Sequence, residues 1–479
     1  IWTYSLTDIK EGLQDCYAKL KQDVQEKYGE TLKRVAAMGF SGMMHGYMAF
    51  DAQDQLLVPF RTWRNTMTEQ AAKELSETFS FNIPQRWSVA HLYQAILNGE
   101  SHVSQISFVT TLAGYIHWQL TGEKVVGVGE AAGMFPIDSN TNDYDAAMAA
   151  KFDTLLLEKG LNYHLTDIFP KVLAAGEKAG VLSETGAKLL DPAGDLEAGI
   201  LLCPPEGDAG TGMAATNSVA PRTGNVSAGT SIFAMVVLEK ALSKVYPEID
   251  MVTTPAGDPV AMVHCNNCTS DLNAWVELLA QNAELCGAKV NKGELFTKLF
   301  NLSLQGAPDC GGVIPVNYYS GEGVTHFDAG RPMLLRGPES DFSLANLMRA
   351  NIYSAFATLA IGLDILNEEH VTLDTLLGHG GLFKTPGVAQ RYLAAAAHTA
   401  VTCTETAGEG GPYGMALLAA YRVEHADGET LASYLQNRVF AGAASTTLNP
   451  DAADEAGFAA FLKEYKKALC AERTAVETM

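Results

Sequence analysis

Short apolar runs alternate with longer stretches of helical pattern along the whole chain, which predicts an α/β protein. Strands are expected at 35–40 and 47–50, around the glycine-containing turn Ser41-Gly42-Met43-Met44-His45-Gly46. Helices are expected at 68–79, 89–97 and 143–159, the second entered through Ser88 as N-cap. An apolar run at 199–203 leads into Glu206-Gly207-Asp208-Ala209-Gly210-Thr211-Gly212, and a second run ends in Gly229-Thr230-Ser231. Further on, the pattern predicts helices at 271–286, 343–366 and 386–397, a strand at 373–377 and a terminal helix at 449–479.

A chain of 479 residues exceeds what one hydrophobic core usually fills, so at least two domains are expected. The link Ala220-Pro221-Arg222-Thr223-Gly224 is the natural place to divide them, into 1–219 and 220–479. Neither low-complexity tracts nor short internal repeats interrupt the pattern. Hydrophobic residues make up 47% and charged residues 18%, and no apolar run approaches the ~20 residues of a membrane helix. The net charge of -22 disfavours nucleic acids and anionic membranes as partners. An anionic cofactor would therefore be held by local backbone dipoles, a metal and a few cations.

Of the eight cysteines only Cys265 and Cys268 lie close together. Although His264 precedes them, a structural zinc site needs a second matched pair, so reduced thiols in a packed strand-to-helix turn are expected. Ile1-Trp2-Thr3-Tyr4-Ser5 shows neither a basic nor an apolar signal segment, and a cytoplasmic location is the expectation.

The candidate chemistry lies in the glycine clusters. Asp208 stands among glycines close to the Gly229-Thr230-Ser231 turn, a layout that offers a carboxylate and a phosphate-sized cradle of backbone N–H groups. A second cluster, Gly378-His379-Gly380-Gly381-Leu382-Phe383-Lys384, falls between a strand and a helix, where glycines admit a ligand close to the backbone. The Walker pattern and the Rossmann fingerprint are both absent. Read alone, Asp208 is better explained as an N-cap for a helix at 209–217, His45 as a satisfied structural histidine, and Met44 as core filler.

In register, these motifs resemble the FGGY carbohydrate kinases of the actin, hexokinase and Hsp70 ATPase superfamily. The turn at 41–46 looks like the Ser-Gly-Gln-Met-His-Gly turn of the xylulose kinases, and Thr62-Trp63-Arg64-Asn65 sits where they carry Trp-Asn-Asp. Gly207-Asp208 resembles the catalytic Gly-Asp, Gly229-Thr230-Ser231 the second phosphate loop, and Gly380-Gly381 the adenosine motif. Tyr318 to Gly323, the helix around Arg349 and Ala350, and Gly414-Met415-Ala416 look like the remaining signatures. The resemblance implies two ribonuclease-H-like, actin-like domains with an active-site cleft between them. It also implies ATP- and Mg2+-dependent phosphorylation of a ketopentose such as xylulose, and a homodimer.

By the same resemblance Asp208 is the general base, and Met44, His45, Trp63, Asn65 and Asp208 touch the sugar. Gly229, Thr230, Ser231, Gly380, Gly381, Phe383 and Lys384 bind the nucleotide, while the metal ligands are open. Arg86, Trp87 and His91 line the cleft or serve packing. Asn65 departs from the pattern, which carries an acid there, so the sugar's identity is open. The family also opens with a hairpin bearing Asp-x-Gly-Thr, and Ile1-Trp2 resembles the segment after it, so leading residues are expected upstream. The rivals are a non-catalytic sugar- or nucleotide-binding regulator and a kinase of another ketose or polyol. Met44-His45 argues against glycerol, whose kinases look like they carry Arg-Glu there.

Overall fold

A computed structural model describes residues 1–404 and 410–479. The chain forms two compact units. The first comprises Ile1–Val219, Met251–Val260 and Glu409–Ala441, and the second comprises Ala220–Asp250, Ala261–Gly408 and Gly442–Met479. The chain thus crosses back twice after the link at 220–224. A linear division cannot express this, because the later segments find their packing partners in the earlier ones.

Helices dominate the first unit, and its strands are short. The expected strand at 35–40 is reduced to Ala37–Met38, paired in parallel with Leu201–Leu202. Immediately beyond, Ser41–Gly42 pairs in parallel with Glu206–Gly207, and this two-residue ladder sets the 41–46 turn beside the start of helix Asp208–Ala215. Ser88 is the first residue of helix Ser88–Leu97 rather than its cap, because its hydroxyl donates to the Gly46 carbonyl instead of to its own helix. The helix expected from 143 begins at Ala146. Asp143–Tyr144 pairs with Ile137–Asp138, and Asp145 caps the helix by accepting from the Met148 N–H at 2.8 Å.

A seven-stranded sheet carries the second unit, although most of its first strand and the start of its second fall within Met251–Val260. Its order is Ile249–Thr253, Pro259–Cys265, Ile232–Val237, Thr223–Ala228, Thr375–His379, Ala400–Thr404 and Ser445–Leu448. The three strands from Thr223–Ala228 to Ala400–Thr404 run parallel, and helix Val388–Ala397 makes the crossover between the last two. Helix Leu344–Glu368 is mostly interior, and its buried polar residues Asn346, Arg349, Asn351, Ser354 and Thr358 are each hydrogen-bonded. Among the described residues no helix is long and apolar enough to cross a membrane. The eight cysteines are unbonded, with Cys265 and Cys268 buried at the strand-to-helix turn before Ser270–Leu285.

Candidate active site

In the first unit the site grows from the ladder that pairs Ser41–Gly42 with Glu206–Gly207. The Ser41 hydroxyl lies 2.9 Å from that of Thr211, which ties the turn to helix Asp208–Ala215. Asp208 is the first residue of that helix and Gly207 is the cap, so the carboxylate is not spent on capping. Instead its Oδ1 accepts from the Met44 N–H at 3.0 Å. Asp208 is open to solvent, yet the protein atoms crowded round its carboxylate raise its pKa, with the N–H groups of Met44 and Ala209 opposing part of the shift. An acid at this position, reachable and made more basic by its surroundings, suits proton abstraction.

Met44 contributes its backbone, while its buried side chain packs toward Gly133 and Gly207. His45 is buried and lies at φ +69°, a left-handed conformation that non-glycine residues rarely adopt without a compensating contact. Nδ1 donates to the Gly133 carbonyl at 3.2 Å and Nε2 accepts from Arg86 Nε at 3.1 Å, which requires a neutral imidazole protonated on Nδ1. Trp87 is wholly buried and stacks on the ring at 6.5 Å. His91 lies deeper, against Tyr47, where burial pushes its pKa down to about 3. Of the three residues left undecided between cleft and core, Trp87 and His91 are interior and Arg86 supports His45.

Asn65 departs from the expected sugar contact. Its carboxamide accepts from the Trp2 N–H at 2.9 Å and donates to the carbonyls of Trp2 and Thr62, so it clamps the first residues of the chain. Trp63 is 41% exposed and carries the Arg64 guanidinium 5.2 Å from its ring centroid.

In the second unit, Gly229-Thr230-Ser231 forms the tip of the hairpin joining Thr223–Ala228 to Ile232–Val237. The carbonyls of Gly229 and Thr230 turn inward, accepting from Thr269 and Cys268 at 3.2 and 3.0 Å, and Thr230 is exposed. The Gly229 N–H donates to the Ser231 carbonyl at 2.9 Å, so the expected cradle loses that donor and contact with an anion at the tip falls to Thr230 and Ser231. Asn267 braces it from behind by accepting from the N–H groups of Tyr319 and Ser320 and donating to Glu322. In the other glycine cluster Gly380 takes φ +98° against Ala228, and Gly381 and Lys384 are exposed. The half-buried Phe383 ring fills the space beside Gly378 and packs toward Phe356. Among the described residues no group of three or more His, Cys, Asp or Glu is placed to hold a metal ion.

Two residues of the site escaped sequence reading. Glu206 and Glu130 are fully buried directly behind Gly207-Asp208, and burial pushes Glu206 up to about 8 and Glu130 well above the carboxylate range. Their one local signal is that each adjoins a glycine, in Gly129-Glu130 and Glu206-Gly207.

Helix Asp208–Ala215 also rests on helix Gly410–Glu424, where Gly414 leaves no space for a side chain against the Thr211 carbonyl. Gly414→Val is therefore expected to shift the Asp208 helix by up to ~1 Å and to lower kcat about 10²-fold, in a protein that remains folded by circular dichroism. Gly212→Ala is the control, since nothing lies within 4 Å of the added carbon. Equal turnover in the two variants would separate helix position from catalysis.

Residues 2–193 match the N-terminal domain, and residues 224–423 the C-terminal domain, of the FGGY family of carbohydrate kinases. A xylulose kinase of Haemophilus influenzae is 22% identical over 344 residues, which cover 70% of this chain and 65% of that kinase. The chain thus spans just under two thirds of that relative's length. Among solved structures, a ligand-bound xylulose kinase from Lactobacillus acidophilus superposes with a TM-score of 0.76 at 14% identity, covering 96% of this chain and 88% of the other. A gluconate kinase from the same organism gives 0.76 at 15% identity, covering 98% and 89%. These likenesses bear out the two-domain α/β fold.

Proposed function

We propose a phosphoryl transfer from one premise: this chain belongs to the FGGY family of carbohydrate kinases. The reaction is transfer of the γ-phosphoryl group of ATP to a hydroxyl of a ketopentose such as xylulose. The observation that carries it is Asp208, a solvent-reachable carboxylate of raised pKa, held in place by the backbone of Met44. Asp208 accepts the hydroxyl proton as the sugar oxygen bonds to phosphorus and ADP leaves, and the proton then passes to solvent. Protonated Asp208 cannot accept it, so turnover rises with pH through the raised pKa.

The exposed tip of the Gly229 hairpin supports a role for Thr230 and Ser231 in gripping terminal phosphate oxygens, and the open backbone at Gly381 supports nucleoside binding. Mg2+ would neutralise charge on the transferred group, and it would have to be held mainly by the nucleotide, since no cluster of three or more His, Cys, Asp or Glu is placed for it among the described residues. The ketopentose preference rests on the likeness of the Met44-His45 turn to that of the xylulose kinases, since both ring nitrogens of His45 are engaged by Gly133 and Arg86. Unbonded cysteines support a cytoplasmic setting. The test is coupled ADP release across xylulose, other pentuloses, hexuloses, gluconate and polyols, with Mg2+. Xylulose is expected to give the highest kcat/KM. A better acceptor in the panel would displace xylulose, and nucleotide or sugar binding without turnover on any acceptor would favour a regulator.

A further inference from the structure

Glu130 and Glu206 are locked together by two glycines. The Glu206 carboxyl occupies the space that a side chain at Gly129 would take, with Oε2 2.6 Å from that position, and the Glu130 carboxyl occupies the corresponding space at Gly207. Each Gly-Glu pair therefore receives the other's carboxyl. Gly210 adds a third gap, with Glu206 Oε2 3.1 Å from its missing Cβ. Glu206 Oε1 accepts from the Gly129 N–H at 3.2 Å. Among the described residues, Glu206 Oε2 and both Glu130 oxygens have no hydrogen-bond partner within bonding geometry, although the Thr111 hydroxyl near Glu130 and the N–H groups of Glu130 and Gly207 near Glu206 favour the charged forms against the larger effect of burial. The exposure of Glu206 is 1% and of Glu130 0%, so water does not satisfy these oxygens from bulk.

Two carboxylates in so dry a space repel each other, whereas one carboxylic acid supplies the O–H donor that the orphan oxygens lack. The other titratable groups facing the pair are Asp208, Cys203 and Tyr144, and none supplies a positive charge. Arg422, from helix Gly410–Glu424, acts on Cys203.

We propose that Glu130 and Glu206 share one proton across the Gly129–Gly207 interlock, and that this proton positions Asp208. Glu206 and Gly207 lie in the ladder with Ser41 and Gly42, and Asp208 follows at once, so any separation of the two carboxyls is transmitted to the base. When hydroxide removes the proton, water forms and two buried carboxylates are left to push the Glu206–Asp208 segment away from Gly129–Glu130. Both acids are positioning residues. The effect on turnover rests on the kinase reading, but the shared proton itself does not.

The sign follows from burial raising both folded-state pKa values. Below the unfolded value of 4.5 the pair's contribution to stability is fully present, and it is lost as pH rises through the folded value, about 8 at Glu206. Apparent values belong to the pair rather than to either acid. The experiment compares the full chain with Glu206→Gln and, separately, Glu130→Gln, an amide being a permanent stand-in for the neutral acid. Thermal midpoints are measured from about pH 5 to about pH 9. The unaltered protein is expected to lose stability toward the alkaline end, and at least one amide variant to lose that slope.

Kinetically, the alkaline fall in kcat should move upward by at least about one pH unit in the variant. Unchanged slopes in both variants overturn the proposal, as does a variant midpoint lowered equally at every pH, which would mark a role in packing alone. Should no acceptor be phosphorylated, the kinase reading fails and the stability slopes still decide the shared proton.

Discussion

Asp208→Asn is expected to lower kcat by about 10²–10⁴ while leaving the fold intact, because a neutral amide cannot take the proton that the attacking hydroxyl releases. The substitution is conservative in every other respect. Oδ1 remains available to accept from the Met44 N–H, and the residue neither caps its helix nor sits in the core. KM for the sugar should therefore change much less than kcat, the pattern of an interaction made chiefly in the transition state. Thermal midpoint and circular dichroism should match the unaltered protein. Turnover retained within about tenfold would remove Asp208 from the role of base and leave it as an anchor for the 41–46 turn.

Asp454→Ala is expected to destabilise the second unit by about 3–5 kcal/mol, the cost of leaving a buried charge without its counter-ion. Asp454 accepts from both Arg349 and Arg391, and the side chains of Arg349 and Asp454 are 4% and 2% exposed. Arg349 sits over the rings of Tyr353 and Tyr392, at 5.2 and 5.0 Å, and donates to the Gly306 carbonyl. Burial opposes its charge, but the two tyrosines and Asp454 outweigh that and hold the guanidinium charged. Without Asp454 the ion stays in the core of helix Leu344–Glu368. The measurement is the urea midpoint together with hydrogen exchange of amides in that helix. A change below about 1 kcal/mol would show the pair to be no stronger than a surface bridge.

The sites legible in the sequence are those whose signal is local. Gly207-Asp208 is an acid among glycines, and Gly229-Thr230-Ser231 is a small-residue turn between apolar runs. Both lie in such places in the structure, one at a helix start and the other at a hairpin tip. Partners remote in sequence were not legible. His45 is fixed by Gly133, 88 positions away, and Glu206 by Gly129, 77 positions away. Asn65 stands where the family pattern carries a sugar-reading acid, and only its bonds to Trp2 show that the carboxamide is spent on the chain itself. Ser88 precedes a helical pattern as a cap would, yet it bonds to Gly46.

Alternating apolar runs and glycine placement by themselves determined an α/β chain of two domains, the acid and the two turns that suit phosphoryl transfer, because periodicity and the freedom of glycine act within a few residues. Tertiary structure alone decided which polar side chains reach solvent. It exposed Asp208, spent His45 on the Gly133 carbonyl and Arg86 and Asn65 on the backbone of Trp2 and Thr62, and buried Glu130 and Glu206. The physical reason is that desolvation and hydrogen-bond satisfaction depend on segments that meet only after folding.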